Sequence, residues 1–109
     1  MKSFEDMLTE YQDLIDQNIA NPYFTNADLA REMNVSERTL YRVVQRQFGL
    51  SPTHHLREVR FDLAADMLRS GHYRTVKEVA LRVGYLKVSY FSNKFEEVRG
   101  VRPSELLNR

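Results

Sequence analysis

The chain has 109 residues, 42% of them apolar and 28% charged, which is enough for one small domain with its own core, and its net charge of +1 gives no indication of nucleic-acid binding. It contains no cysteine, so disulfides, a thiolate nucleophile and zinc sites with cysteine ligands are excluded. No apolar run approaches the ~18 residues of a membrane span, and the first residues lack the apolar stretch of a signal peptide, so we expect a cytoplasmic protein without membrane contact.

The charges are unevenly distributed along the chain. Residues 1–34 carry an excess of five negative charges, whereas residues 35–60 and 61–109 each carry an excess of three positive charges. The near-neutral average therefore conceals an acidic beginning and a basic remainder. Such asymmetry can mark a nucleic-acid-binding surface, and it can also arise from solvated helical surfaces.

Prolines and glycines divide the chain into seven predicted helical segments. The three prolines precede or open a segment and the four glycines follow one, which is the asymmetry expected at helix ends. In chain order the predicted helices cover residues 4–19, 26–33, 37–48, 52–69, 76–83, 87–98 and 103–107. Because Val/Ile/Thr-rich alternating runs are absent from the sequence, the predicted fold class is all-α.

Local patterns support these boundaries. Thr25 with Asp28, and Thr75 with Glu78, fit capping boxes in which each side chain bonds the other residue's backbone amide. Ser36 is placed to cap the third helix. Apolar residues at helical spacing predict a buried stripe on the long fourth helix, formed by Leu56, Val59, Leu63 and Met67.

The sequence contains an internal repeat. A shift of 50 residues superposes the two predicted short helices, so that Ala30 meets Ala80 and Asn34 meets Gly84. A shift of 51 superposes the helices that follow, together with their Gly-x-x-Pro endings. Because the repeat matches caps, core positions and helix breakers together, the sequence predicts two copies of one structural unit.

Each copy has the features that a helix-turn-helix requires. A small residue, Ala30 or Ala80, lies where the second helix must cross close to the first. Asn34 and Gly84 tolerate the positive φ of a tight turn. The second helix of each copy then carries an inward apolar pair, Leu40 with Val44 and Phe91 with Phe95. Ordinary helical hairpins could share one such set of features, but two sets in register favour tandem helix-turn-helix units.

Two stretches of sequence resemble a known family. The first is G-L-S-P at residues 49–52, followed by L-x-x-x-R-x-x-x-A-x-x-M-L at residues 56–68. The second joins V-A-x-x-x-G-Y at residues 79–85, S-Y-F-S-x-x-F at residues 89–95 and G-x-x-P-S at residues 100–104. From about Phe4 to Leu107, the chain resembles the DNA-binding domain of the AraC/XylS transcription regulators.

The resemblance implies two helix-turn-helix subdomains, residues 1–50 and 71–109, joined by a linker helix over residues 51–70. It also implies sequence-specific binding of double-stranded DNA in transcription regulation, with RNA polymerase as a partner. Members often carry a further effector, sensor or dimerisation domain before this one. A linker helix of 18 residues would span about 27 Å, so recognition helices at about 37–48 and 87–98 could enter successive major-groove segments about 34 Å apart.

Helix phase separates the core face of the first recognition helix from its outer face. The residues expected in the core are Leu40, Val43, Val44 and Phe48. On the outer face a guanidinium can bridge guanine O6 and N7, a glutamine can pair with adenine, and a tyrosine can touch a thymine methyl or a phosphate. We rank Arg42, Arg38 and Tyr41 first among base contacts, include Gln45, and place Arg46 on phosphate.

The second recognition helix departs from the usual family pattern. Ser89, Ser92 and Asn93 are the predicted base contacts, and Asn93 stands where the family often has arginine. Glu96 and Glu97 stand where basic residues are common, so their charge should repel phosphate. We expect the second unit to contribute less affinity or laxer selectivity, unless the two glutamates face another protein.

Phosphate contacts are predicted near the helix starts and along both recognition helices. The residues assigned to them are Thr25, Asn26, Glu37, Arg46, Thr75, Lys87 and Lys94. Arg57 and Arg60 on the linker helix could bind phosphate or form a structural ion pair. His54 and His55 are adjacent on a helix, so their side chains diverge and would chelate a metal poorly. His72 lies in a predicted loop. All three histidines are predicted to be surface residues.

No sequence pattern indicates an enzyme, a metal site or a cofactor site. Two functions of different class therefore remain, a DNA reader and a helical protein-interaction module without DNA readout. The row of Arg38, Arg42 and Arg46 distinguishes them, because only DNA reading depends on these arginines.

Overall fold

The computed structural model describes residues 2–108, and over that range it contains seven α-helices and no β-strand. The helices are α1 (Phe4–Asn18), α2 (Asn26–Glu32), α3 (Glu37–Phe48), α4 (Pro52–Ser70), α5 (Val76–Arg82), α6 (Val88–Arg99) and α7 (Pro103–Leu106). The all-α fold class and the seven helices are therefore confirmed. Each helix end lies within one residue of its predicted position.

The chain divides into two compact units, each with one helix-turn-helix. The first unit consists of the residues up to Asn18 together with Tyr23–Glu58. The second consists of Ile19–Pro22 together with the residues from Val59 onward. The short Ile19–Pro22 segment thus belongs to the second unit, although its neighbours in sequence belong to the first.

In the first unit, α1 and α2 both pack against α3. The buried apolar side chains of this unit are Tyr11, Ile15, Leu29, Ala30, Met33, Leu40, Val43 and Val44. Three of the four α3 residues expected in the core are therefore buried, whereas Phe48 is only half-buried. This arrangement leaves the other face of α3 in solvent.

His55 is half-buried on α4, so its prediction as a surface residue is wrong. Its Nδ1 lies 2.6 Å from the Tyr11 hydroxyl, and its ring stacks on Phe48 with centroids 3.8 Å apart. The Tyr11 hydroxyl needs a partner because it is buried, and burial also raises the pKa of this phenol above its ordinary value. The adjacent histidines do diverge, since His54 is exposed.

Aromatic packing dominates the core of the second unit. Phe61 of α4 contacts both Phe91 and Phe95 of α6, with ring centroids 5.7 and 5.2 Å apart. The remaining buried members of this cluster are Ala64, Ala65, Leu68, Val79, Ala80 and Val83. The small residues allow the helices to approach the rings closely.

The predicted buried stripe of α4 has the wrong phase. Its member Leu63 is 37% exposed, and the other three residues are only half-buried. The fully buried α4 residues are Phe61, Ala64 and Leu68. Both sets have helical spacing, so periodicity alone does not choose between them. The phase is set by packing of the Phe61 ring against α6.

The two helix-turn-helix turns share one backbone conformation. Asn34 and Gly84 have φ values of 57° and 90°, as their residue types predict. In each copy the amide after the turn residue donates to the carbonyl of a buried alanine. This distance is 3.0 Å to Ala30 in the first copy and 2.9 Å to Ala80 in the second. The repeat in the sequence is therefore also a repeat in the structure.

The two predicted capping boxes differ. At α2 the box is complete: the Asp28 amide donates to Thr25 Oγ1 at 3.1 Å, and the Thr25 amide donates to Asp28 Oδ2 at 3.0 Å. At α5 the Glu78 amide donates to Thr75 Oγ1, but the Glu78 carboxylate accepts from the Arg74 amide at 3.2 Å. The longer glutamate reaches one residue past the cap, so the second box is only half formed.

Arg60 lies inside the second unit and is 8% exposed. Its Nε donates to the Ile19 carbonyl at 3.2 Å, and its Nη2 donates to the Asn21 carbonyl at 2.9 Å. The prediction of a phosphate contact or an ion pair is therefore wrong for this residue, because its donors bind backbone carbonyls beyond the end of α1. Burial lowers the pKa of Arg60, but a guanidinium stays protonated in proteins.

We expect Gly84→Ala to destabilise the protein more than Gly49→Ala. Both glycines have positive φ, 90° and 71°, so alanine at either position costs roughly 1–2 kcal/mol in backbone strain. At Gly84 a Cβ would also lie 2.6 Å from the Ile19 carbonyl oxygen, whereas at Gly49 no atom lies within 4 Å. This crowding adds about 1–3 kcal/mol. Urea unfolding measures both losses, and equal losses would contradict the close approach at Gly84.

Asp28 makes the stability of the first unit depend on pH. Hydrogen bonds, first the one from the Thr25 backbone, hold the pKa of Asp28 below its ordinary value. A lowered carboxyl pKa contributes stability that is complete above the unfolded-state pKa of about 3.9 and is lost as the pH falls through the folded-state pKa. We expect Asp28→Asn to flatten the fall of the melting temperature between about pH 5 and pH 2.

The charge-matched control for this measurement is Asp13→Asn, which changes an exposed carboxylate on α1. It should leave the pH dependence of the wild type in place. A wild-type pH profile in Asp28→Asn would show that the capping box does not govern acid stability.

Candidate nucleic-acid interface

Helix α3 presents a polar face opposite its buried face. The outer residues Arg38, Tyr41, Arg42, Gln45 and Arg46 are all exposed, as is Glu37 at the start of the helix. The start is fixed by a side-chain cap, because the Thr39 amide donates to Ser36 Oγ at 3.0 Å. The structure thus places the predicted contacts of α3 on one exposed face.

The guanidinium donors of Arg38 and Arg42 have no partner among the residues that the structure describes, since neither side chain forms an ion pair or a hydrogen bond with another residue in the range 2–108. A guanidinium presents N–H donors in a rigid fork that matches two acceptors at once. Guanine O6 with N7, or two phosphate oxygens, are acceptors of this geometry.

Arg46 lies in the last turn of α3 and is held by an aromatic ring of α1. Its guanidinium carbon is 4.1 Å from the centroid of the Phe4 ring. Stacking uses the face of the guanidinium and leaves the N–H donors at its edge. The ring therefore restricts the direction of the Arg46 side chain while its charge remains accessible.

Helix α6 begins at Val88, one residue later than predicted, and Lys87 is its N-cap residue without a side-chain capping bond. Ser89 and Asn93 are exposed, whereas Ser92 is half-buried. Two of the three predicted base contacts of this helix are therefore fully on the surface. Lys87 is also exposed, so its ammonium group can reach a phosphate.

The acidic charges near the end of α6 are paired within the second unit. Glu96 Oε2 accepts from Arg102 Nη1 at 2.9 Å, and Glu97 Oε1 accepts from Lys94 Nζ at 3.3 Å. Exposed pairs of this kind are weak, but each places a cation beside its carboxylate. The repulsion of phosphate expected from the two glutamates is thus reduced, and Lys94 is less available for phosphate than predicted.

Tyr90 is an exposed α6 residue that helix phase did not assign to binding. It is 57% exposed, and its ring centroid lies 6.2 Å from that of Tyr85. Leu86, also 57% exposed, borders the same open pocket of about 370 Å³. The sequence could have indicated Tyr90 as a candidate contact. It lies near the start of the second predicted recognition helix, and the start of such a helix reaches deepest into a groove.

The predicted phosphate contacts at the helix starts differ in the donors that they retain. Thr25 uses both its amide and its hydroxyl oxygen in the α2 capping box. The side-chain amide of Asn26 donates to Thr53 Oγ1 at 2.8 Å. The Thr75 amide, in contrast, is not taken by the Glu78 carboxylate. Of the two threonines, Thr75 therefore has the more accessible backbone donor.

The part of the chain that the structure describes has no group of three or more His, Asp or Glu residues placed to hold a metal ion. None of the helices between residues 2 and 108 combines the length and the apolar character needed to cross a membrane. The exposed faces of α3 and α6 offer hydrogen bonding, charge and aromatic contact. These are the means by which helices read base edges.

A family model described as a helix-turn-helix domain matches residues 29–109. The match begins within α2 and extends over every later helix. It thus includes both helix-turn-helix turns and both candidate recognition helices.

Curated relatives include transcription activators and a histidine kinase. The HTH-type transcriptional activator RhaR of Yersinia pseudotuberculosis is 31% identical over 93 residues, which cover 85% of this chain and 32% of that protein. Histidine kinase P4 of Formosa agariphila is 26% identical over 105 residues, which cover 96% of this chain and 8% of that protein. The chain therefore spans about a third or less of the relatives that it matches.

Solved structures have the same fold. The C-terminal domain of AraT, a response regulator from Geobacillus stearothermophilus, has a TM-score of 0.83 and 30% identity, covering 92% of this chain and 82% of that one. An AraC-type transcriptional regulator from Chromobacterium violaceum has a TM-score of 0.82 and 25% identity, covering 94% and 89%. The chain therefore belongs to the AraC/XylS family of transcription regulators and forms that family's DNA-binding domain, which binds DNA in transcription regulation.

Proposed function

We propose that this domain reads double-stranded DNA sequence-specifically, with α3 and α6 as recognition helices in successive major-groove segments. The observation that carries the proposal is the exposed arginine row of α3, in which Arg38 and Arg42 have no ion pair among the described residues. The row lies on the second helix of a helix-turn-helix, opposite the core, where such a helix meets base edges.

On α3 the proposed roles follow the chemistry of each side chain. Arg42 and Arg38 bridge guanine O6 and N7, the commonest specific contact of arginine with DNA. Gln45 pairs with adenine, and Tyr41, which is 49% exposed, contacts a thymine methyl or a phosphate. These four residues form the base-reading set of the first unit.

On α6 the proposed reading depends on fewer charges. Asn93 pairs with adenine through its amide, and Ser89 and Ser92 add modest hydrogen bonds. To this set we add Tyr90, whose exposed ring suits a thymine methyl or a sugar. Because Lys94 and Arg99 balance Glu96 and Glu97, α6 has no net charge, and we expect it to contribute less affinity than α3.

Phosphate contacts are proposed to fix the register of each helix on the duplex. The strongest candidates are Arg46, Lys87 and the Thr75 amide, since each retains accessible donors. The remaining predicted contacts are Thr25, Asn26, Glu37 and Lys94. Their donors are engaged within the protein or, for Glu37, limited to the backbone amide, so we rank them lower.

We further propose that the domain is the DNA-reading part of a larger cytoplasmic regulator that contacts RNA polymerase. The support is that the matched relatives are far longer than this chain and include a transcription activator. The match within a histidine kinase supports a sensor protein as one such context. In either context the domain itself acts by binding, not by catalysis.

Selection from randomised duplex DNA tests the proposal, with Arg42→Ala and Asn93→Ala beside the wild type. We expect two enriched half-sites about one helical turn apart. Arg42→Ala should cost about 1–3 kcal/mol in binding and relax the sequence of one half-site. Asn93→Ala should relax the other half-site at a smaller cost. The charge-matched control Arg69→Ala, at an exposed arginine of α4, should retain both.

Two other outcomes would change the proposal. A single enriched half-site, lost with Arg42→Ala alone, would reduce α6 to a backbone clamp. An absence of any enrichment, even at low salt where phosphate contacts are strongest, would favour a protein-interaction module.

Arg46→Ala separates phosphate binding from base reading. We expect the affinity to fall by a similar factor on selected and unrelated duplexes, because a phosphate contact carries no sequence information. The slope of log affinity against log salt should become shallower by about one. Phe4→Leu keeps the arginine but removes the ring beneath it, so its effect should be in the same direction and smaller. Anisotropy titrations between about 50 and 200 mM salt measure both, and a loss confined to the selected duplex would assign Arg46 to a base.

A further inference from the structure

The Ile19–Pro22 segment connects α1 to α2 and belongs to the second unit. Arg60 binds it there through two hydrogen bonds, from Nε to the Ile19 carbonyl at 3.2 Å and from Nη2 to the Asn21 carbonyl at 2.9 Å. Arg60 is 8% exposed, so these bonds are largely shielded from water. Carbonyls and a guanidinium in such a place are costly to leave unpaired, and the contact is therefore a firm one.

The same segment determines the space around the turn of the second helix-turn-helix. A Cβ on Gly84 would lie 2.6 Å from the Ile19 carbonyl oxygen and 2.9 Å from Arg60 Cζ. The turn backbone, the guanidinium and the Ile19 carbonyl are thus packed directly against one another. Movement of any one of them requires movement of the other two.

Arg60 also reaches the aromatic residue that follows the turn. Its guanidinium carbon lies 5.8 Å from the centroid of the Tyr85 ring. That ring is 5.3 Å from Phe91 and 6.2 Å from Tyr90, both in the first turns of α6. Pro22 lines part of the open pocket beside these rings. A continuous set of contacts therefore runs from the Ile19–Pro22 segment through Arg60 to the start of α6.

From this packing we infer that Arg60 is a positioning residue for α6 and that the Ile19–Pro22 segment is a structural part of the second recognition unit. Arg60 contacts no base in this role. It fixes the turn from which α6 begins, so that the side chains of α6 meet DNA in one orientation. The inference rests on the proposed function, because it concerns how the second recognition helix reads its half-site.

The chemistry of arginine suits this role better than that of lysine. A planar guanidinium can donate to two carbonyls in fixed directions and pack against an aromatic ring at the same time. A lysine ammonium is a compact point charge on a flexible stem, so it can reach one carbonyl but does not hold both in register. Arg60→Lys is therefore a graded test of positioning that preserves the charge.

Discrimination at each half-site tests the inference. Three duplexes are compared: the selected site, and two derivatives that each have one of the two half-sites scrambled. The effects of Arg42→Ala and Asn93→Ala show which half-site is read by α3 and which by α6. Arg60→Met removes the donors and keeps an apolar stem. We expect its preference for the intact α6 half-site to fall by about tenfold or more, while its affinity for the duplex with that half-site scrambled stays at the wild-type value. Arg60→Lys should lie between.

The matched control is Arg69→Met, which removes the same charge from the same helix at an exposed position, nine residues along and so on the opposite side of α4. It should leave discrimination at both half-sites unchanged. Far-UV circular dichroism and thermal unfolding identify which variants are folded at the assay temperature. Where Arg60→Met is not folded, Arg60→Lys decides the question.

The inference would be overturned if a folded Arg60→Met discriminated at the α6 half-site as well as the wild type does. Where Arg60→Met is not folded, wild-type discrimination by Arg60→Lys would overturn it. Equal loss at both half-sites in a folded variant would also overturn it, because positioning of α6 predicts a selective loss. A wild-type protein that enriches only the α3 half-site would overturn the proposed role of α6 and this inference with it. A wild-type protein with two half-sites and an unaffected Arg60→Met would overturn the inference alone.

Discussion

A tight turn with one residue in the left-handed conformation is the constraint on which both units depend. Because φ is positive at that residue, the next amide can bond back to the carbonyl five residues earlier. The two helices then cross so closely that a small side chain is needed, and Ala30 and Ala80 are buried at these points. Once the crossing is fixed, the second helix has one face in the core and one face in water. The separation of core residues from solvent-facing residues on this helix follows from the turn.

The two copies build the same turn from different residues, and the surroundings explain the difference. Asn34 is exposed, and asparagine is among the residues that adopt positive φ at moderate cost. At Gly84 the Ile19 carbonyl lies 2.6 Å from the place of a Cβ, so only glycine fits. The conformation of the first turn therefore depends on the turn residue itself. The second turn is part of a buried contact that includes Arg60 and the Ile19–Pro22 segment.

Features that depend on neighbouring residues could be predicted from the sequence, and features that depend on helix packing could not. Helix ends follow from caps and from glycines after an apolar face, so each was predicted to within one residue. The exposure of the α3 outer face followed from helix phase in the same way. His55 was misassigned because its partner Tyr11 lies 44 positions away, and Arg60 because Ile19 lies 41 positions away. The predicted buried face of α4 was wrong for a related reason. Two faces of this helix have apolar residues at helical spacing, and packing of the Phe61 ring determines which of them is buried.

If both copies read DNA as proposed, the distribution of charge gives them different requirements. In the proposed complex the charges of Arg38 and Arg42 attract the phosphate backbone over several ångströms, and such attraction tolerates small errors in helix position. Helix α6 has its carboxylates paired and no net charge, so the reading proposed for it relies on hydrogen bonds and on contact with the Tyr90 ring. These interactions weaken steeply when a side chain is displaced by an ångström. Of the two proposed recognition helices, α6 therefore depends more on a fixed position. The turn that precedes α6 is also the one that the buried Arg60 holds.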